Sequence, residues 1–138
     1  MPPTLPTRKD LPWIGQLLYQ ECEAVRAGGI QVDWSLEEAH EFLGRIWGRP
    51  DYHIEVIRHG PDIVAICGVV VITPVLPPYP LTCAEWLWWG ISKRDTASVW
   101  AACKEWGKLQ GAEYAQYALK QPQHNQHKFV ETYHWVKL

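Results

Sequence analysis

One acidic side chain lies inside the most aromatic stretch of the sequence. Glu85 belongs to the segment 83–89, directly before Trp86 and close to Trp88. A carboxylate surrounded by indole rings is desolvated, which raises its pKa and suits it to act as a general base near neutral pH. Charged residues within sheets are usually paired, so Glu85 is also expected near the solvent end of its strand, on the face of Leu87, with a Lys or Arg partner. We favour this second interpretation.

Three histidines near the C-terminus have spacings that could suit a metal site. His124 and His127 are three residues apart, and His134 follows seven residues later. A zinc site needs three or four ligands with supporting hydrogen bonds, and no cysteine or acidic cluster accompanies these histidines. We therefore predict no metal site and interpret the histidines as solvated side chains.

A basic stripe runs along one predicted helix, through Lys93, Arg94, Lys104 and Lys108. Such a stripe could meet an acidic partner or nucleic acid, although most are solvated helix faces. The net charge of the chain is −2, so we expect no general attraction to nucleic acid or to an anionic membrane.

Tryptophan is unusually frequent, with nine residues in a chain of 138. This number exceeds what the core of a domain of this size needs. Trp13, Trp34, Trp47 and Trp135 lie near the ends of predicted elements. Because tryptophan is favoured at interface hot spots, we predict that some of these four contact a neighbouring protein.

Length and composition predict a single domain over 1–138, with residues 1–10 as an extended leader. The four cysteines form no Cys-x-x-Cys pair, and their apolar surroundings are typical of reduced, buried thiols in an intracellular protein. The sequence contains no run of eighteen apolar residues and no signal peptide at its N-terminus. We therefore expect a soluble protein that is not secreted by that route.

Hydrophobic periodicity predicts two helices in the first third of the chain. The first helix follows an N-cap at Asp10 and stops at Gly28. The second starts at Ser35, with Glu38 completing a capping box.

A change to period two predicts a β-hairpin over 52–73, in which Gly68 marks a bulge or a close approach. The segment 83–89 should form a central strand because it is apolar on both faces, with Trp86 and Trp88 on one side.

The remaining elements are predicted to complete a sheet around that central strand. A helix that begins near Asp95 or Thr96 and ends at Gly111 crosses to a parallel strand, 114–119. Val99, Trp100, Cys103, Trp106 and Leu109 should form the buried face of this helix. A last amphipathic helix is predicted over 125–135.

This order of elements resembles the GNAT acetyltransferase superfamily across nearly the whole chain. The local matches are the hairpin segment 59–68, the tryptophan strand 83–89, and Asn125 followed by Phe129 and Tyr133. The resemblance implies an α/β fold, in which helices flank a mixed central sheet that is truncated at the C-terminus.

The resemblance also implies a place for acetyl-CoA. Family members lay its pyrophosphate on the amides that start the crossing helix, in an Arg/Gln-x-x-Gly-x-Gly/Ala loop. The corresponding segment is 90–98, so the candidate cofactor contacts are Lys93, Arg94, Thr96 and Ser98.

This segment departs from the family pattern because Ala97 and Trp100 occupy the glycine positions. Asp95 against a phosphate about 5 Å away would cost on the order of 3 kcal/mol at an effective dielectric near 20. On this basis we expect no bound cofactor.

If the protein is active, the resemblance assigns Glu85 as the general base and Tyr133 as the acid that protonates the coenzyme A thiolate. Tyr133 has helical spacing with Phe129 and Val130, however, and such an aromatic residue is more often part of the core.

A closer likeness is to the acetyltransferase-like internal virion proteins of short-tailed phages, which match from about Leu11 to the end. It implies a non-catalytic structural or assembly protein, made in the host cytoplasm and located in the virion. Its partners would be other virion or assembly proteins or a second copy of the chain. They would bind the peripheral tryptophans and an exposed sheet edge that presents Tyr114 and Tyr117. The alternative is an acetyl-CoA-dependent N-acetyltransferase with an atypical phosphate loop.

Overall fold

The computed structural model describes residues 2–27, 34–73, 80–122 and 129–138. A short 3-10 helix, Arg8–Asp10, precedes three α-helices and five strands. The α-helices are α1, Leu11–Ala27, α2, Leu36–Ile46, and α3, Lys93–Leu109. The strands are β1, Tyr52–His59, β2, Asp62–Ile72, β3, Thr82–Gly90, β4, Tyr114–Pro122, and β5, Phe129–Lys137.

The five strands form one mixed sheet in the order β1-β2-β3-β4-β5. The hairpin of β1 and β2 turns at Gly60, which has a φ of 61° and so favours glycine. β2 and β3 are antiparallel, whereas α3 crosses over to make β4 parallel to β3. The Leu138 N–H donates to the Glu113 carbonyl at 2.9 Å, so the end of β5 lies beside the start of β4 and these strands are antiparallel.

The chain divides into two compact units, and the sheet strands β1, β2 and β3 lie with α3 in the first of them. This first unit comprises Met1–Pro6, Arg49–Tyr117 and His134–Leu138, and the second comprises Thr7–Gly48 and Ala118–Tyr133. The core of the first unit lies under α3. It includes the buried residues Ile57, Val64, Ala65, Cys67, Val69, Cys83, Val99, Trp100, Cys103, Ala112 and Ala115.

In the second unit, α1 packs against α2. The His40 ring occupies the space where a Cβ on Gly15 would lie, so the two helices approach closely at this glycine. The predicted cap of α2 is confirmed, since Ser35 Oγ accepts the Glu38 N–H at 3.1 Å. The 3-10 helix before α1 is capped by Thr7, one turn before the predicted N-cap at Asp10.

The prediction that Trp86 and Trp88 share one side of β3 is wrong. Val69 pairs with Glu85 but Gly68 pairs with Leu87, so Trp86 is an extra residue on β3. This bulge breaks the alternation of side chains. Trp88 contacts α3, whereas the Trp86 ring lies over Gly68, on the opposite face of the sheet.

The start and the buried face of α3 also differ from the prediction. The helix starts at Lys93 instead of Asp95 or Thr96, because Ser92 provides the N-cap. Leu109 is 77% exposed. Gly107 is buried instead, and the Cys83 side chain occupies the space that a Cβ on Gly107 would need.

Phe129–Lys137 form a strand, so the prediction of a helix over 125–135 is wrong for its described part, 129–135. β5 is rich in β-branched and aromatic residues, which favour strands. The prediction instead gave more weight to the apparent helical spacing of its apolar residues. The position of β5 in the sheet also makes β4 an internal strand, so the exposed edge predicted at 114–119 is absent. Asn125, His124 and His127 lie outside the described residues.

No helix in the described part of the chain is long and apolar enough to span a membrane.

The contact between Gly68 and Trp86 can be tested by substitution. An ideal Cβ on Gly68 would lie 2.5 Å from the Trp86 ring. We therefore expect Gly68→Ala to lower the free energy of unfolding by about 1–3 kcal/mol, as overpacking does. Urea denaturation measures the change.

Gly44→Ala is the matched control, because a Cβ at Gly44 in α2 has no heavy atom within 4 Å. It should stabilise the protein by roughly 0.5–1 kcal/mol through its helix propensity. Equal effects of both substitutions, or no rescue of Gly68→Ala by Trp86→Leu, would contradict the assigned contact.

Candidate functional site

The first turn of α3 is built by a local cap. Ser92 has an extended backbone conformation, and its Oγ accepts the Asp95 N–H at 3.1 Å. The Ser92 carbonyl accepts the Thr96 N–H at 3.0 Å. The backbone N–H groups of Lys93 and Arg94 have no hydrogen-bond partner among the described residues, as expected at a helix N-terminus. Two free amides therefore point out of the helix beside two basic side chains.

The charge at this helix end is mixed. Lys93 and Arg94 are exposed, and Asp95 is half-buried in the same turn. The helix dipole adds partial positive charge at the free amides. Two cations and the dipole oppose one carboxylate, so the first turn attracts an anion overall.

Two of the predicted cofactor contacts use their hydroxyl groups within the helix. Thr96 Oγ1 donates to the Ser92 carbonyl at 2.6 Å, and Ser98 Oγ donates to the Arg94 carbonyl at 3.0 Å. The Thr96 side chain also fills the space beside Gly90 that a Cβ would need. Only Lys93 and Arg94 of the four predicted contacts therefore present uncommitted polar groups to solvent.

A tryptophan of β3 is tied to the first turn of α3. The indole N–H of Trp88 donates to the Thr96 carbonyl at 2.8 Å. This bond joins the end of the strand to the start of the helix that follows it, so the position of the free amides depends on β3.

The strand β3 runs beside β4 over only a short distance. Residues 82–84 pair with 114–116, and among the described residues the ladder ends there. β3 continues to Gly90. The β3 residues that follow Ala84 therefore lie beyond this ladder, and they lead to the first turn of α3.

Aromatic rings pack together on the α3 side of β3. The ring centroids of Trp88 and Trp100 are 5.2 Å apart, and each lies 5.5 Å from that of Tyr117. His134, which is exposed, stacks on Tyr117 at 5.0 Å. We call these four residues the aromatic cluster. Tyr117 is thus partly buried against these rings, and its predicted interface role stays a prediction.

The bulge in β3 determines where Glu85 lies. Glu85 pairs with Val69, which in turn pairs with His53. The His53 ring stacks on Trp106 of α3, with 4.7 Å between centroids, so this row faces α3. Glu85 is half-buried on that face, and the prediction that it shares a face with Leu87 is wrong.

Two buried cysteine thiols, Cys67 and Cys83, are poor nucleophiles. Cys103 Sγ donates to the Cys67 carbonyl at 3.4 Å, and Cys83 packs against the same helix. Burial raises the pKa of Cys83 to about 12 and raises that of Cys67 well above its ordinary value, with neighbouring Cys103 and Glu85 adding to the second effect. Cysteine catalysis needs the thiolate, which this environment disfavours.

The remaining predicted residues are dispersed. Trp13 is 38% exposed and Trp135 is 58% exposed, so both side chains are accessible to solvent. Trp34 packs on Phe42 and Tyr114 packs on Trp135, while Trp47 is half-buried at the end of α2. No partner chain tests their predicted interface role.

Two further predictions concern Tyr133 and metal binding. Tyr133 lies on β5, which is a strand instead of the predicted last helix, and its role as the general acid stays a prediction. The described residues contain no group of three or more His, Cys, Asp or Glu side chains that could hold a metal ion.

Sequence reasoning missed Ser92 and the role of Trp88. The pattern Ser92-x-x-Asp95 was an available signal for the N-cap. The contact of Trp88 with Thr96 had no such signal, because it depends on how β3 packs against α3. The half-buried pair His53 and Glu55, with 2.8 Å between Nε2 and Oε1, was also missed.

The chain matches no protein-family model and no curated protein sequence. Solved structures do resemble it. A ribosomal-protein-alanine N-acetyltransferase from Brucella melitensis has a TM-score of 0.71 at 13% identity, over 100% of both chains. The PaiA N-acetyltransferase from Thermoplasma acidophilum, solved with coenzyme A, has a TM-score of 0.60 at 9% identity, over 99% of this chain and 98% of its own.

A GNAT-family acetyltransferase from Streptococcus pneumoniae has a TM-score of 0.57 at 9% identity, over 86% of this chain and 74% of its own. This chain has the GNAT fold. The predicted fold class, a mixed sheet flanked by helices, is thereby confirmed.

The raised thiol pKa values predict a loss of stability at alkaline pH. A thiol whose pKa is higher in the folded protein stabilises it below the unfolded-state pKa, and this contribution falls as the pH rises through the folded-state pKa. Between about pH 9 and pH 12 the Cys83 thiol ionises in the unfolded state but not in the folded state. Its contribution to the free energy of unfolding should therefore fall by roughly 1.4 kcal/mol per pH unit. Denaturation series across this range measure the slope.

Cys83→Ala should have a shallower decline than the unmodified protein, whatever its stability at neutral pH. Cys22→Ala is the control, since Cys22 is only half-buried in α1. An unchanged slope in Cys83→Ala would contradict the raised pKa.

Proposed function

We propose that the first unit binds an acyl-coenzyme A beside β3 and that the protein is a coenzyme A-dependent N-acyltransferase. The proposed site consists of the β3 edge beyond Ala84 and the first turn of α3. Both belong to the same compact unit.

The observation that carries the proposal is the end of the β3–β4 ladder at Ala84. Backbone N–H and C=O groups are strong hydrogen-bonding groups, and where a ladder ends a bound chain can extend the pairing. The pantetheine arm of coenzyme A is an extended chain with amide groups, so it can pair with the edge of β3 as an added strand would.

The first turn of α3 suits the pyrophosphate of the same ligand. Free amides at a helix N-terminus and nearby cations favour a phosphate. Lys93 and Arg94 supply both features, and together they outweigh Asp95. The turn lacks glycines that would let the backbone approach closely, so we expect binding weaker than a glycine-rich loop provides.

Glu85 is the residue best placed to act as a base. It is the first residue of β3 beyond the ladder, and it is half-buried. Its role would be to accept a proton from the amine that attacks the thioester. The described side chains suggest no general acid.

A second candidate function is a structural or assembly role without catalysis, as the sequence predicted. The aromatic cluster favours it, because these rings occupy space beside β3 that a ligand could use. The exposed β4 edge on which the prediction partly rested is absent, however. The virion location has no support among the similar structures and stays a prediction.

Isothermal titration with acetyl-CoA tests the binding proposal. We expect a dissociation constant in the micromolar range, weakened roughly tenfold by Lys93→Ala with Arg94→Ala. The pair Arg8→Ala with Lys9→Ala is the matched control, because both residues are exposed in the other unit. An absence of binding at millimolar acetyl-CoA would refute the proposal and leave the structural role.

Acyl transfer is tested by the release of free coenzyme A thiol in the presence of peptide amines and polyamines. Glu85→Gln should lower kcat by about 100-fold or more and leave the affinity for acetyl-CoA unchanged, since a base acts only in the chemical step. Tight binding without any release of thiol would favour a binding protein over an enzyme.

A further inference from the structure

A groove of about 300 Å³ lies between the outer side of α3 and the end of β5. Its lining includes three lysines, Lys104, Lys108 and Lys137, and a single acidic side chain, Glu105. The apolar part of the lining comes from Ala101, Val136 and Leu138. All these residues belong to the first unit, so the groove is a feature of one compact body.

The side chains that line this groove carry more positive than negative charge. None of the three lysines forms an ion pair with a carboxylate of the described residues. The ammonium group of Lys104 lies 5.8 Å from the centre of the Trp100 ring, which holds this side chain near the helix surface. The whole chain carries a net charge of −2. The net side-chain charge of the groove is therefore opposite in sign to that of the whole chain.

The strand that borders the groove is at the edge of the sheet. β5 is the last strand in the order, and no strand of the described residues pairs with its outer side. The Leu138 N–H is used by the Glu113 carbonyl on the inner side. An outer strand edge offers main-chain groups to another extended chain.

We propose that this groove is a docking site for an extended acidic peptide segment of a partner protein. The segment adds a strand to the outer edge of β5 and places its carboxylates against Lys104, Lys108 and Lys137. An acidic peptide fits better than nucleic acid, because it satisfies the strand edge as well as the lysines. The groove is separate from the first turn of α3, so the proposal does not depend on acyl transfer.

Fluorescence anisotropy with a labelled peptide of alternating Glu and Thr, about eight residues long, tests the proposal at low salt. We expect micromolar binding that weakens several-fold as the ionic strength rises, since exposed charges are screened. Lys104→Glu with Lys108→Glu should weaken binding at least tenfold, whereas Lys104→Arg with Lys108→Arg should retain it. Circular dichroism confirms that each variant is folded.

Arg8→Glu with Lys9→Glu is the control for net charge, because it reverses two exposed cations in the other unit. Equal weakening by this control would overturn the assignment to the groove, as would an absence of binding at about 1 mM peptide.

Two further probes test the chemistry of the occupant. Methylation of alternate peptide amides should weaken binding about tenfold, because it removes the donors that pair with β5. An unchanged affinity would overturn strand addition. A single-stranded oligonucleotide of equal charge should bind more weakly than the peptide, and tighter binding would show that the groove takes nucleic acid.

Discussion

One extra residue in β3 determines how the first unit is arranged. The strand pairs regularly with β2 on either side of Trp86, but Trp86 itself is inserted between the pairs of Glu85 with Val69 and of Leu87 with Gly68. Because side chains alternate along a strand, this insertion turns Glu85 towards α3 while Leu87 faces away. Gly68 makes the bulge possible, since its missing side chain leaves room for the Trp86 ring. The positions of the strand edge and the candidate base depend on this local fit.

The same strand controls the start of α3. Trp88 lies two residues beyond the bulge, and its bond to the Thr96 carbonyl connects β3 to the first helical turn. A Ser cap leaves the amides of Lys93 and Arg94 uncommitted. Backbone donors, basic side chains and the part of β3 that lies beyond the β4 ladder therefore occur in one continuous segment of chain. This continuity is why we infer a ligand that combines a phosphate end with an amide-containing arm.

α3 contributes to two different surfaces through two different parts of its length. Its first turn has free amides, which suit a compact anion. Further along the helix, Lys104 and Lys108 border a groove beside β5 and suit an extended chain with distributed charge. The buried side of the helix, with Val99 and Cys103, holds it against the sheet between these surfaces.

Local sequence patterns were sufficient to predict those structural features that depend on residues close together in the sequence. The cap of α2 at Ser35, the hairpin within 52–73 and the close approach at Gly68 were all predicted from the sequence. The element order was also sufficient for the fold class. In these cases the relevant energies come from backbone conformation, caps and periodic burial, which neighbouring residues specify.

Tertiary structure decided the features that depend on residues distant in sequence. The sequence does not indicate that Trp86 is an extra residue, because a bulge is defined only by the pairing of β3 with β2. It misled us at 125–135, where apparent helical spacing was overridden by the available edge of β4. The sequence by itself determined the order of the elements as far as β4, because the periodicities that predict these elements are local. The pairing of β3 with β2 decided on which side of the sheet Glu85 and Trp88 lie. This pairing, like the contacts under α3, joins residues that are far apart in sequence.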